Sequence, residues 1–261
     1  MAGFELSKWY ADCITEQAEA AILYHAELRW GAVSLHYSSL LTRNAVAPTR
    51  IDYSLRKQGT PMLEGGELMW ESAKWQLFGS WSKMDPSHRR TLFTSELGEL
   101  DWNCVAPRAR VSLQIGSGPR WEGWGYAEHL RLTVAPWKLP IRRLRWGRFV
   151  NATDALVWID WSGPYSRREM FWNGRSVEAE AIGDSEIVLD GGGVLSLDCG
   201  VVLRNGALGV TVLAVIPNLE RMFPDSILRM RECKWLSRAV LRQPGFPDSV
   251  GMAIHEVVEW P

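Results

Sequence analysis

The sequence contains few of the residues that build metal centres and disulfide frameworks. Among 261 residues there are five histidines and four cysteines, Cys13, Cys104, Cys199 and Cys233. No cysteines form a CxxC pair, and no histidines form an HExxH or HxH pattern. This spacing argues against a zinc enzyme, and we expect reduced thiols in a cytoplasmic protein, with no metal and no cofactor.

Charge of one sign, long apolar runs and targeting signals are also missing. The formal net charge is −1 and the pI is about 6.5, which argues against a nucleic-acid binder. No stretch approaches the roughly 18–20 apolar residues of a membrane-spanning helix. The first residues, MAGFELSKWYADC, carry Glu5 and Asp12 and no apolar run after a basic start, so we expect no signal peptide.

Two further motifs are absent, and their absence narrows the chemistry. No GxSxG stretch is present, so a serine hydrolase has no support. The triplet Gly191–Gly193 invites comparison with a phosphate-binding loop, but no Lys-Ser/Thr follows it and the next residues alternate like a strand. We interpret the triplet as a hairpin turn.

Alternation of polar and apolar residues is the main pattern that the chain does show. The clearest segments are VSLHYSSLL, ELMWESAKWQLFGSW, RVSLQIGSG, ALVWIDWSG, SEIVLDGGGVLSLDCGVVL, GALGVTVLAVI and MAIHEVVEW. The helix-like stretch Thr15–Leu28 ends in alternation, so we predict a turn followed by a strand, and one helical turn is predicted at Asn218–Phe223. Crossover helices between strands are missing, which predicts an all-β antiparallel barrel or sandwich.

Tryptophan is unusually frequent, with 15 residues, roughly four times average usage. Its large apolar face suits both barrel cores and pockets for flat or polyene-like ligands. Most of these residues are expected to be structural, while some could line a cavity.

Four landmarks recur in the same order and indicate an internal duplication. LRWG occurs twice, VSLHYS is matched by VWIDWS, ELDWNC by ECKWLS, and GYAEH by GMAIHE. This alignment places His36 opposite Asp160. The prolines of VAPWKLPIRR interrupt strand pairing, so we predict two β-domains, residues 1–136 and 137–261.

The stretches KWYADC, GWGYAEHLRLTVAPWKLPIRRLRWGRF, VWIDWSG and ECKWLSR…GMAIHEVVEW resemble a tandem lipocalin-like family. The group includes carotenoid 1,2-hydratase (hydroxyneurosporene synthase), tocopherol cyclase and lipocalin-like Diels–Alderases. The resemblance implies two lipocalin-like barrels or sandwiches and a cofactor-free site for a hydrophobic polyene, prenyl or polyketide-like molecule. The implied chemistry is alkene protonation with water capture or ring closure, or a cyclisation promoted by shape.

Protonating an alkene requires an acid that stays protonated at neutral pH, which a carboxyl on an apolar wall can do. In WEGWGYAEHL, strand alternation places Trp124, Tyr126 and Glu128 on one face, with Ala127 and His129 on the other. Aromatic rings beside the carboxyl would stabilise a carbocation. Glu128 is the candidate acid, and the alternative is a solvent-facing or arginine-paired carboxylate.

VWIDWS supplies a second candidate, because Trp158 and Asp160 share a face. Three alternatives are open for Asp160: a catalytic group in a barrel lumen, a residue at an exposed edge, or a member of a structural ion pair. For the ion pair, Arg148 is the suggested partner. His36 is a candidate ligand contact or a hydrogen-bonded strand residue. His255 is a candidate catalytic group if it faces a cavity.

Three functions remain open. The first is a cofactor-independent hydratase, cyclase or isomerase acting on a hydrophobic unsaturated small molecule in a tryptophan-lined pocket. The second is a non-catalytic carrier of such a molecule, and the third is a scaffold whose barrels are filled by side chains.

Overall fold

A computed structural model describes residues 3–44, 46–216, 218 and 223–261 of the chain. Within these ranges the protein is built almost entirely of antiparallel strands, as the alternation predicts. The first ten strands are β1 Phe4–Thr15, β2 Ala20–Trp30, β3 Val33–Arg43, β4 Arg50–Ser54, β5 Met62–Glu64, β6 Glu67–Ser72, β7 Leu77–Lys83, β8 His88–Ser95, β9 Gly98–Ile115 and β10 Trp121–Leu132. The next ten are β11 Arg143–Val150, β12 Ala155–Ser162, β13 Arg167–Trp172, β14 Arg175–Ser176, β15 Ala179–Ile182, β16 Glu186–Leu189, β17 Val194–Leu197, β18 Val201–Ala207, β19 Arg231–Arg242 and β20 Ser249–Glu259.

The two halves of the chain have the same topology. The first sheet runs in the order β4-β3-β2-β1-β10-β9-β7-β6-β5, with β8 paired to β9. The second runs β14-β13-β12-β11-β20-β19-β17-β16-β15, with β18 paired to β19. Adding ten to each strand number converts the first order into the second, so the predicted duplication is confirmed. The described chain separates into two compact units, Met1–Ala135 and Pro136–Pro261.

Two of the four landmarks behind that prediction are wrong in detail. The first LRWG closes β2 and ends in a turn, where Gly31 has φ +62°, whereas the second lies inside β11. His36 lies on β3 and Asp160 on β12, and these strands are not equivalent. The other two landmarks fall on the equivalent pairs β9/β19 and β10/β20. A match of a few identical residues does not show whether the two copies lie on equivalent strands of the two units.

Each unit has a core on the inner face of its sheet. In the first unit Trp70, Trp75 and Trp81 pack among alanines and aliphatic side chains. In the second unit Trp158 is surrounded by Phe149, Leu156 and other apolar residues. These four tryptophans are buried, which confirms that part of the tryptophan content is structural.

Strand β9 bends, and the bend determines how its neighbours pair. Residues Gly98–Cys104 pair with β8, while Ala109–Ile115 pair with β7. Pro107 lies between the two parts, where the register with β10 shifts. Proline has no N–H to donate and is therefore tolerated at such an irregularity. The two parts of β9 therefore pair with different strands, β8 and β7.

The segment GALGVTVLAVI is not the strand that its alternation predicts. Strand β18 ends at Ala207, and a 3₁₀ turn covers Leu208–Val210. Leu208 and Leu213 pack beside Ile227 of a short α-helix, Asp225–Arg229. Their apolar side chains are therefore partly buried against a helix instead of a sheet. Most of the helical turn predicted at Asn218–Phe223 lies outside the described residues.

Two other local predictions are confirmed. Thr15–Leu28 forms a turn followed by β2. Gly191–Gly193 form the turn between β16 and β17, where Gly191 and Gly192 adopt φ of +88° and +83°. Such values favour glycine because it has no Cβ. No helix in the described ranges is long and apolar enough to cross a membrane.

Candidate functional site

A buried carboxyl surrounded by aromatic side chains lies in the first unit. Glu128, on β10, is 4% exposed. Its Oε2 accepts hydrogen bonds from the Tyr126 hydroxyl and from the Trp102 indole N–H, each at 2.7 Å. The face of β10 that carries Tyr126 and Glu128 is opposite the face on which Ala127 joins the barrel core. Glu128 and Tyr126, which the sequence predicts on one face, therefore occur together, but on the side away from that core.

A second buried carboxyl holds this group in place. Asp12, on β1, accepts the Tyr10 hydroxyl at Oδ2 (2.9 Å) and the backbone N–H of Tyr126 at Oδ1 (3.0 Å). The rings of Tyr10 and Tyr126 meet edge to face at 5.9 Å. Asp12 thus fixes the backbone of Tyr126, whose hydroxyl contacts Glu128. We call Tyr10, Asp12, Trp102, Tyr126 and Glu128 the Glu128 cluster.

Burial determines the protonation of the groups around this cluster. It raises the pKa of the Tyr126 hydroxyl well above its ordinary value, and electrostatic interactions with Cys104 and Glu128 raise it further. Burial also raises the pKa of the Cys104 thiol. Both groups therefore keep their protons at neutral pH. Because Tyr126 stays a phenol, its hydroxyl remains a hydrogen-bond donor to Glu128.

The inner face of the second barrel brings together three other predicted residues, Trp158, Asp160 and His255. The imidazole of His255 stacks on Trp235 with ring centroids 5.1 Å apart, and it lies 6.4 Å from Trp158. Its Nε2 is 2.8 Å from the hydroxyl of Ser237. Gly147 makes room for this arrangement, because a Cβ there would lie 2.7 Å from the Cβ of His255 and closer still to the Trp158 ring.

Asp160 lies in an ion-pair network, and its partners differ from the one suggested by the sequence. Its Oδ1 is 3.1 Å from Nε of Arg168, and its Oδ2 is 3.8 Å from Arg145. Arg145 also binds Asp184 at 2.7 Å. The suggested partner Arg148 is wrong, because alternation along β11 places its side chain on the face opposite Arg145. The arrangement matches the structural ion pair that was one of the three sequence-based readings.

A cleft of about 230 Å³ opens at the same end of this barrel. We call it the mouth cleft. Its lining consists of Asp184, Asn205, Arg231, Glu232, Cys233, Trp235, Val257 and Glu259. Charged and polar side chains predominate, and Trp235 is the tryptophan among them.

The remaining predicted residues are dispersed. Trp124 is half-buried, and the Arg110 guanidinium covers its ring at 4.4 Å. His36 lies on β3 of the first unit, 3.7 Å from Glu27. Arg148 is fully buried on β11. The predicted set thus forms two groups, Tyr126 with Glu128 and Trp158 with Asp160 and His255.

Sequence reasoning missed several residues that complete these groups. They are Tyr10, Asp12 and Trp102 around Glu128, Trp235 and Ser237 around His255, and Arg145 and Arg168 around Asp160. Asp12 could have been found, because it is an acidic residue in an otherwise apolar part of β1 and shares a face with Tyr10. The others lie on strands that only the pairing register brings near, and a single sequence does not carry that information.

Acidification is expected to destabilise the protein through His255. Burial, the main cause, and Lys234 lower its pKa from 6.5 to about 4, against the opposing effect of Asp184 and two other carboxylates. Between these pH values His255 is protonated in the unfolded chain but not in the folded protein. The free energy of unfolding that is present above pH 6.5 therefore decreases as the pH falls towards 4. The full loss is about 3 kcal/mol.

Urea denaturation of the wild type and of His255→Gln across this pH range would measure the effect. The variant should show a shallower loss of unfolding free energy on acidification. His25 and His129, whose pKa values burial also lowers, contribute the same residual slope to both proteins. Equal slopes in the two proteins would contradict the prediction.

Comparison with known proteins identifies the fold. No family model matches the chain, and no curated protein matches it. Among solved structures it is similar to kievitone hydratase from Nectria haematococca, with a TM-score of 0.58, 11% identity, and coverage of 99% of this chain and 89% of that one. It is also similar to CghA crystallised with Sch210972, with a TM-score of 0.56, 9% identity and coverage of 98% and 88%. The chain has the tandem lipocalin-like fold, and the resemblance seen in the sequence is confirmed at that level.

Proposed function

We propose that the protein is a cofactor-independent enzyme that adds, removes or relocates a proton on an unsaturated small molecule, as a hydratase, cyclase or isomerase. The observation that carries the proposal is Glu128, a buried carboxyl bonded through one oxygen to a phenol and an indole. Strongly buried ionisable groups with specific partners are a general sign of functional sites. A hydratase and CghA share this fold, which supports the choice of reaction class.

Hydration, isomerisation and those cyclisations that begin with alkene protonation share one elementary step, the transfer of a proton to or from carbon. A cyclisation promoted by shape alone does not use this step. In the proposed site the Glu128 carboxyl carries that proton, and the Tyr126 hydroxyl orients it. The aromatic rings around it exclude water and stabilise positive charge on the substrate. Asp12 acts as a positioning residue through the backbone of Tyr126. The substrate we propose is a hydrophobic terpenoid, prenyl or polyketide molecule, whose apolar surface would suit the aromatic side chains of the cluster.

The proposal is tested by incubating the purified protein with a small-molecule extract of its host and comparing the products by mass spectrometry. A hydratase converts a substrate into a product heavier by one water, whereas a cyclase or isomerase produces a species of unchanged mass and new retention time. Protein carrying Glu128→Gln is the control. If the wild type alters no compound that the control leaves intact, the proposed activity is wrong.

The carrier hypothesis makes a different prediction in the same experiment. A carrier would retain a compound through purification and release it unchanged on denaturation, and Glu128→Gln would bind it equally well. Extraction of the purified protein therefore separates the two functions.

A further inference from the structure

The mouth cleft is a second feature that can bind a small molecule. It is built from strands of the second unit, whereas the Glu128 cluster is built from strands of the first. Arg231, Cys233 and Trp235 alternate along β19 and share its inner face. Register places Asn205 of β18 beside Cys233. The cleft is therefore lined by the guanidinium of Arg231, the amide of Asn205, the thiol of Cys233 and the indole of Trp235. The indole is backed by the stacked ring of His255.

Most charges at this end of the barrel are already compensated. Asp184 binds Arg145 at 2.7 Å, and Glu259 binds two nitrogens of Arg143 at 2.7 and 3.0 Å. Glu232, the third carboxylate of the lining, lies 3.2 Å from Arg204. Arg231 is opposite Glu259 in the strand register, but its side chain has no ion pair or hydrogen bond with any residue in the described ranges. Arg231 is thus the cation that remains available for a ligand.

The size of the cleft limits what can enter. Its volume of about 230 Å³ is below the roughly 300–1,000 Å³ of pockets that hold drug-sized molecules. A molecule with one ring is therefore the appropriate size. Trp235 is half-buried and offers a flat surface for stacking, and Asn205 offers amide N–H donors near the guanidinium.

The thiol in the cleft is not suited to covalent chemistry. Burial raises the pKa of Cys233, and the nearby charges of Glu232, Cys199 and Asp184 raise it further. The thiolate is the reactive form of cysteine, and at neutral pH Cys233 holds its proton. The cleft therefore offers reversible contacts.

We infer that the mouth cleft binds a small flat aromatic anion, a carboxylate or phenolate, through Arg231 and Asn205 at its rim and Trp235 at its floor. A planar guanidinium and a carboxylate form paired charge-assisted hydrogen bonds, while the ring of the ligand stacks on the indole. The inference does not depend on the chemistry proposed for Glu128.

Calorimetric titration with three single-ring probes tests the ligand class. Benzoate should bind, benzyl alcohol should bind at least about tenfold more weakly because it has no charge, and benzamidine should not bind. If benzamidine binds in preference to benzoate, or if benzoate does not bind, the inference is overturned.

Two variants on one strand locate the site. Arg231→Gln should weaken benzoate binding at least about tenfold. Arg238→Gln is the matched control, because Arg238 is also exposed on β19 but points to the opposite face, and it should leave binding unchanged. Equal affinity of Arg231→Gln and wild type would overturn the assignment.

Protection from alkylation supplies an independent measurement. Cys233 is a half-buried free thiol that lines the cleft. Saturating benzoate should slow alkylation of Cys233 by iodoacetamide at alkaline pH, where part of the thiol is ionised, and benzyl alcohol at the same concentration should not, as followed by peptide mass spectrometry. Equal rates at Cys233 with and without benzoate would place the ligand elsewhere and overturn the inference.

Discussion

Replacing Glu128 by glutamine is expected to lower kcat/KM by about 10²–10⁴-fold on the substrate that the extract experiment identifies. Glutamine has nearly the same size and can still accept the hydrogen bonds from Tyr126 and Trp102, so the fold should persist. It cannot, however, carry a proton between the enzyme and carbon. KM should change little, because the loss concerns the reacting group and not the walls that bind the substrate.

Glu122→Gln is the matched control for this substitution. Glu122 lies on the same strand, is exposed, and accepts a hydrogen bond from Ser112 at 2.8 Å. Its replacement should leave kcat/KM at the wild-type value. Circular dichroism of both variants verifies that the sheet is intact. If Glu128→Gln retains full activity, Glu128 has no part in the reaction and its hydrogen bonds are structural.

The pH profile separates a proton carrier from a carboxylate that only supports the fold. If Glu128 transfers the proton, kcat of the wild type must follow an ionisation that is missing from the residual activity of Glu128→Gln. If Glu128 is merely structural, the variant loses stability and its pH profile keeps the wild-type shape.

Much of the fold follows from local sequence, because a strand that is buried on one face must alternate. The hairpin at Gly191–Gly193 and the turn before β2 follow in the same way from turn chemistry. The duplication can also be inferred, although LRWG misleads. The first copy lies at the end of β2 and the second lies inside β11. The four residues are identical in both places, so they cannot show this difference.

The site is harder to predict, because it depends on which strands are neighbours. Alternation along β10 correctly groups Tyr126 with Glu128, since both lie on one strand. It cannot provide Trp102 or Asp12, which reach the cluster from β9 and β1. For the same reason sequence proximity suggests Arg148 as the partner of Asp160, whereas the strand register supplies Arg145 and Arg168.

Trp81→Ala is expected to cause the largest loss of stability among the tryptophan substitutions. Trp81 is fully buried, and its indole donates a hydrogen bond of 2.6 Å to the carbonyl of Asp12, which connects β7 to β1. Gly79 leaves space for the ring, because a Cβ there would lie 2.6 Å from it, and Gly125 leaves space for the Asp12 carbonyl that accepts the hydrogen bond. Removing a buried indole typically costs about 3–5 kcal/mol.

Urea unfolding of three variants tests this account of the first core. Trp81→Phe keeps most of the packing and loses the hydrogen bond to Asp12, so it should cost about 1–3 kcal/mol. Trp30→Ala removes an indole that is half-buried at the end of β2, and it should cost clearly less than Trp81→Ala. Because Trp81 bonds to the backbone of Asp12, which in turn fixes Tyr126, Trp81→Phe should also reduce activity through the Glu128 cluster. A Trp81→Ala protein as stable as Trp30→Ala would show that the indole does not connect the two strands as described.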